Sequence, residues 1–157
     1  MPPENDIAAL RSAIRARLET IVDPCSAAAG APAGLVSMGL VGDLTIEQRR
    51  TGAHVDLTLF VTEPGCMMGA VFQQAARIEL ASLPGVDSAE VRVDYAHVWD
   101  RNQMTPAYRR RLANFRSSQS AHMTALRPAP QNSSKSRTSK QVRLKEEAQN
   151  VIEEEPH

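Results

Sequence analysis

The sequence predicts a small α+β domain in which a mixed three-stranded sheet carries helices mainly on one face, in the order α-β-β-α-β-α. Three observations predict it. Apolar residues recur at three- and four-residue spacing in three stretches, the period of an amphipathic helix. Shorter stretches, cleanest at 53–61 and 89–95, alternate apolar with polar residues, as a strand with one buried face does. Proline and glycine punctuate the boundaries between the two periods.

The first helix begins at Asn5 or Asp6, either of which can cap it, and its stripe is Ile7, Leu10, Ile14, Leu18 and Ile21. It stops near Asp23-Pro24, because a residue before proline is pushed out of the α region. Residues 26–34, SAAAGAPAG, read as a flexible loop of small residues. Val41–Glu47 and Ala53–Val61 flank the turn-like Arg49-Arg50-Thr51-Gly52, which makes a hairpin whose second strand buries Val55, Leu57, Leu59 and Val61. Thr62-Glu63-Pro64-Gly65-Cys66 ends that strand. Met68, Val71, Phe72, Ala75, Ile78 and Leu83 then mark a second helix that closes before Pro84-Gly85. Ala89, Val91, Val93 and Tyr95 form the inner face of a third strand. Thr105 caps and Pro106 opens the last helix, with Tyr108, Leu112 and Phe115 as its stripe.

Residues 1–116 thus make one domain. Residues 117–157 read as a disordered charged tail, since few large apolar side chains offset the entropy of ordering. Within it, Val142–Glu155 has the composition of a transient C-terminal helix that runs from basic to acidic.

Composition narrows the function. Aromatic residues are only 4% of the chain, so the core should be aliphatic and without a large apolar ligand cavity. Eighteen basic residues balance eighteen acidic ones, which leaves no net field for nucleic acid or an anionic membrane. No apolar run approaches the roughly 20 residues of a membrane span, and Met1–Asp6 lacks the basic and apolar regions of a signal peptide. A cytoplasmic protein is expected. Its two cysteines, Cys25 and Cys66, would be kept there as thiols and read as reactive or metal-binding.

Cys66 has the stronger setting. It follows a Pro-Gly turn and precedes a helix, so its sulfur lies near unsatisfied backbone N–H groups and the positive end of the helix dipole. A thiolate there can bind iron, join a cluster or attack an electrophile, while a buried thiol packing as a small hydrophobe is the plain alternative.

Six motifs fall in one order along the chain: Asp23-Pro24, Gly39-Leu40-Val41, Thr62-Glu63-Pro64-Gly65-Cys66, Leu83-Pro84-Gly85-Val86, Trp99-Asp100 and Met104-Thr105. This set resembles the PaaD-like and SufT-like family of metal-sulfur cluster assembly proteins over about residues 7–113. The resemblance implies a small α+β accessory protein that carries or transfers iron or an iron-sulfur cluster, held transiently, to a client metalloenzyme. Its motif cysteine falls on Cys66, and its aspartate and threonine on Asp23 and Thr62 as pocket support. Cys25 stands where that family usually has glutamate, which makes it a second candidate ligand. Ser37-Met38 replaces the usual acidic residue, Met67 replaces a proline, and the loop from Asp23 to Gly39 is longer than usual. A specialised paralogue fits these departures better than a housekeeping factor. The tail lacks the extra cysteines of the PaaD type, so no second metal site is expected there.

One cysteine cannot complete a cluster's ligand set, so a homodimer, a client, other assembly factors or a small thiol must supply the rest. The competing reading is an adaptor that docks a client metalloenzyme, such as an oxygenase, without binding metal. A thiol enzyme ranks last, because no histidine base stands at a recognisable spacing from Cys66. His54 and His97 read as surface or satisfied histidines and take no metal. Arg109, Arg110, Arg111 and Arg116 read as a solvated basic face without the interleaved aromatics of a nucleic-acid site. Trp99 should pack in the core or a groove, and Met67 and Met68 under the turn.

Overall fold

The computed structural model describes residues 4–125, with burial assigned from Asp6 onward. Four helices and three strands follow one another as α1 (Glu4–Glu19), α2 (Pro24–Ala28), β1 (Val41–Gln48), β2 (Ala53–Phe60), α3 (Met68–Ala81), β3 (Val86–Asp94) and α4 (Pro106–Ala125), with a 3-10 turn at Arg101–Gln103. Apart from the short α2, this is the expected α-β-β-α-β-α order. No helix among the described residues is long and apolar enough to cross a membrane.

β2 lies in the centre of the sheet, antiparallel to β1 and parallel to β3. The hairpin needs only a short turn, but the parallel pair needs a crossover, and α3 supplies it. Period-two alternation turns Val55, Leu57 and Leu59 to one face, where they share a core with Ile14 and Leu18 of α1, Phe72, Ala76 and Leu80 of α3, and Val91 of β3. The large, fully buried side chains are all Leu, Ile or Val, as the low aromatic content predicts. The other face is largely polar: His54 pairs with Ser88 and Asp56 with Glu90 across β2 and β3. Each outer strand has a main-chain acceptor engaged by a side chain. Arg11 of α1 donates to the Leu44 carbonyl at 2.8 Å, and Gln73 of α3 to the Val91 carbonyl at 2.6 Å.

Several element boundaries differ from the expected ones. α1 ends at Glu19, four residues before Asp23: the Thr20 and Ile21 N–H groups bond only three residues back, to Arg17 and Leu18, the Ile21 carbonyl turns to Leu35 N–H at 3.1 Å, and the Glu19 carboxylate accepts from Ser37 N and Ser37 Oγ at 2.8 and 2.6 Å. Residues 26–34 are not a free loop. Asp23 caps α2 with Pro24 at its first position, and Ala31, Ala33 and Leu35 pack into the core. On α3 the buried row is Phe72-Ala76-Leu80, while Val71 and Ile78, expected inside, are 54% and 59% exposed. The helix touches the sheet with a strip narrower than its apolar pattern. α4 buries Tyr108 and Leu112 as expected, but continues to Ala125, past the expected domain end at Arg116. Two compact units divide the chain at 121/122. Most of the expected tail, including Val142–Glu155, lies outside the described residues.

Candidate functional site

The loop from β2 to α3 carries Cys66. In Glu63-Pro64-Gly65-Cys66 the Cys66 N–H donates to the Glu63 carbonyl at 3.2 Å, and Gly65 adopts φ +81°. Proline fixes the first corner residue near its required φ, and glycine alone takes the second without strain, so four adjacent residues set the turn by themselves. The Cys66 carbonyl then accepts from Gly69 N–H at 3.3 Å, which ties the cysteine to the first turn of α3. Met67, the residue that caps α3, offers no side-chain acceptor. Free amide donors therefore stand next to a half-buried thiol. Tyr95, past the end of β3, packs so closely on Gly69 that a Cβ there would approach its hydroxyl to 2.5 Å.

A second segment carries Cys25. Asp23 is buried and its Oδ2 accepts from Ser26 N–H at 2.7 Å. Ser26, also buried, donates from Oγ to the Asp23 carbonyl at 2.6 Å and accepts from Ala33 N–H at 2.9 Å. Cys25 is exposed between these two anchors. Its thiol is pushed above the ordinary cysteine range, chiefly by the Asp23 carboxylate, then by burial, and further by Cys66 and Glu63. The last two causes bring the β2–α3 turn within electrostatic range of α2, so Asp23, Cys25, Glu63 and Cys66 share one neighbourhood. Thr62 is half-buried at the start of the turn and makes no hydrogen bond to a described residue.

Tyr108 closes the segment from α4. Its hydroxyl donates to the Ala31 carbonyl at 2.8 Å, and burial raises its pKa; Asp23 adds to the rise, while Arg111 and Arg116 oppose it. Arg111 lies over the Tyr108 ring, 5.0 Å from its centroid, and donates to the Pro32 carbonyl. Glu19, Ser26, Glu63 and Tyr108 had no part in the sequence-based site. The spacing Asp23-Pro24-x-Ser26, a cap followed by proline and a second small hydroxyl, is the signal that could have revealed Ser26.

Both histidines have partners. His97 stacks on Phe60 with ring centroids 3.6 Å apart and contacts Gln103 Nε2 at 2.7 Å. His54 Nδ1 contacts Ser88 Oγ at 2.7 Å, and its ring lies with Asp56 and Glu90 in a group whose donor atoms fall within 4.8 Å of one another. Arg92 pairs with both of those carboxylates, at 3.7 and 3.2 Å. Trp99 is half-buried and donates to the Met38 carbonyl at 3.0 Å, as a groove-packing role requires. Met68 packs partly against the core, but Met67, expected under the turn, is 89% exposed.

Residues 11–93, which include both cysteines, β1, β2 and all of β3 but its last residue, match the family described as iron-sulfur cluster assembly protein. The chain belongs to this family. A curated relative, the Fe-S protein maturation auxiliary factor YitW of Bacillus subtilis (strain 168), is 30% identical over 97 residues, covering 62% of this chain and 87% of its own. The crystal structure of a domain of unknown function, DUF59, from Bacillus anthracis superposes with a TM-score of 0.55 at 24% identity, over 68% of this chain and 93% of that one. It shares the fold. The resemblance read from the ordered motifs and the α+β architecture are thereby established, and the protein has an accessory part in iron-sulfur assembly. The matched span stops at Val93, before the 3-10 turn and α4.

Proposed function

We propose that this protein receives iron or an iron-sulfur cluster as cargo at Cys66 and passes it to a client metalloenzyme. One observation carries the reading: Cys66 sits half-exposed on a rigid Pro-Gly turn, beside free amide donors of α3 and within electrostatic range of a second thiol, Cys25. Each subunit then offers two thiolates to a cargo that takes four ligands, and a second copy, the client or a small thiol completes the set. Incomplete coordination is what a donor needs, since cargo held by two protein ligands can leave by ligand exchange. Cys25 is the weaker ligand because Asp23 opposes its ionisation, and positive cargo on Cys66 would reverse that bias. In this reading Asp23 holds α2 in place and Thr62 lines the approach to the turn.

The adaptor reading has one observation in its favour. Met67, Val71 and Ile78 run along α3 from the residue after Cys66 and are all exposed, which suits a protein contact. Anaerobic reconstitution with iron and sulfide separates the two readings. A carrier gives a cluster absorption spectrum that Cys66→Ser abolishes and Cys25→Ser weakens. No cluster in the wild-type protein, with client binding that survives Cys66→Ser, overturns the carrier reading and establishes the adaptor.

A further inference from the structure

A cavity of about 170 Å³ lies between the 3-10 turn and α4, lined by Arg101, Met104, Arg109, Leu112, Ala113 and Arg116. Arg109, Leu112, Ala113 and Arg116 are spaced i, i+3, i+4 and i+7, so they share one face of α4, with Arg101 and Met104 contributed from the segment before it. The floor is apolar, and three guanidinium groups stand round it.

Their charges are not neutralised within the described residues. Arg17, Arg49 and Arg92 each pair with a carboxylate elsewhere on the surface. In contrast, Arg109 donates only to Asn102 Oδ1 at 3.2 Å, and Arg101 and Arg116 make no side-chain hydrogen bond or ion pair to a described residue. The Asp100 carboxylate, next in sequence to Arg101, accepts from Asn102 N–H as the cap of the 3-10 turn and makes no ion pair with any of the three arginines. α4 contributes no acidic residue anywhere along Pro106–Ala125. Three arginines thus stand round a concavity with no carboxylate paired to them among the described residues, although the chain as a whole is neutral.

We infer that this cavity is a docking site for an acidic, aliphatic-containing peptide segment of a partner protein. Its volume is that of about six waters at ~30 Å³ each, room for one aliphatic side chain over the buried Met104 and Leu112, with the exposed Ala113 at the rim. Carboxylates on either side of that side chain meet the guanidinium groups, whose planar fork can donate two parallel N–H···O bonds to one carboxylate. Nucleic acid fits less well, since no aromatic residue lines the cavity to stack a base. A small anion would leave the apolar floor uncovered. The site requires no metal on Cys66 and stands apart from the carrier reading.

The test uses the full chain and a fluorescein-labelled peptide, Glu-Glu-Leu-Leu-Glu-Glu, followed by anisotropy. Binding should weaken as salt rises, because exposed charges are screened over about 10 Å at 0.1 M. The Gln-Gln-Leu-Leu-Gln-Gln counterpart should bind at least tenfold more weakly. The double variant Arg109→Gln/Arg116→Gln should lose at least tenfold in affinity. Ala113→Glu, which puts a negative charge on an exposed position of the rim and leaves the core untouched, should lose as much. Cys66→Ser should bind as the wild type does, which keeps this result separate from the cluster experiment. Equal binding of the two peptides, or a double variant that binds normally, overturns the proposal. So does displacement of the peptide by millimolar inorganic phosphate, which assigns the cavity to a small anion, or tighter binding of a single-stranded DNA 12-mer, which assigns it to nucleic acid.

Discussion

The two cysteines sit on segments built in opposite ways. Cys66 occupies a turn whose shape is written in four consecutive residues: proline, a glycine at φ +81° and one backbone hydrogen bond. Cys25 occupies residues 20–40, a segment shaped by bonds that span from 7 to 77 positions of sequence. Glu19 reaches Ser37, Ser26 holds Ala33, and Tyr108 holds Ala31 from 77 residues away. A locally encoded turn tolerates change around it and keeps its thiol presented. A segment held by latches of longer range loosens when a latch is removed, and it brings its thiol within electrostatic range of the other only after the domain has folded.

Substitution of glycine should break this comparison most visibly. At Gly34 a Cβ would collide with the backbone carbonyl of Glu19, which cannot move without unseating the end of α1. Gly34→Ala should therefore cost at least about 3 kcal/mol in chemical denaturation. A loss below about 1 kcal/mol would show that segment 20–40 is far looser than its contacts imply. The next effect falls on the serine latch. Ser26→Ala leaves the buried Ala33 N–H without its acceptor and should cost about 1–3 kcal/mol, whereas Ser82→Ala, at an exposed helix end, should be nearly neutral.

Gly65→Ala sharpens the contrast from the other side. A Cβ at residue 65 meets nothing within 4 Å, so only the positive φ opposes it, for about 1–2 kcal/mol. The expected signature is a small stability loss with a marked change in Cys66 alkylation, because the turn itself is deformed. Unchanged alkylation would mean that α3, and not the turn, positions the thiol.

The smallest effect is on ionisation. With its thiol raised chiefly by Asp23, Cys25 stays protonated to higher pH than a free cysteine, so it should alkylate slowly at neutral pH and gain rate only above the usual range. Iodoacetamide rates against pH in the Cys66→Ser variant measure this. Asp23→Asn, which retains a capping oxygen, should move the curve back down. A curve at or below that of a free cysteine would remove Asp23 from the Cys25 environment.

Much of this molecule is legible before folding is considered. The two hydrophobic periods specify three strands and three long helices, since a face is buried only when its residues recur at the period of the backbone. The Pro-Gly turn and the position of Cys66 before a helix follow from four residues, and the ordered motifs identify the family. What pairs across the sheet is a matter of register. The grouping of His54 and Asp56 with Glu90 depends on β3 lying parallel to β2, with Asp56 opposite Glu90. Which apolar residues α3 buries depends on how narrowly it meets the sheet, and this leaves Val71 and Ile78 outside. The setting of α2, and with it the electrostatic influence of Cys66 on Cys25, depends on latches between residues up to 77 positions apart. The cavity of three arginines depends on the 3-10 turn that carries Arg101 back over α4. Sequence alone determined the elements, the Cys66 turn and the family, because each rests on interactions between near neighbours along the chain. The tertiary structure decided which side chains share a site, because that rests on contacts whose partners only the packed fold brings together.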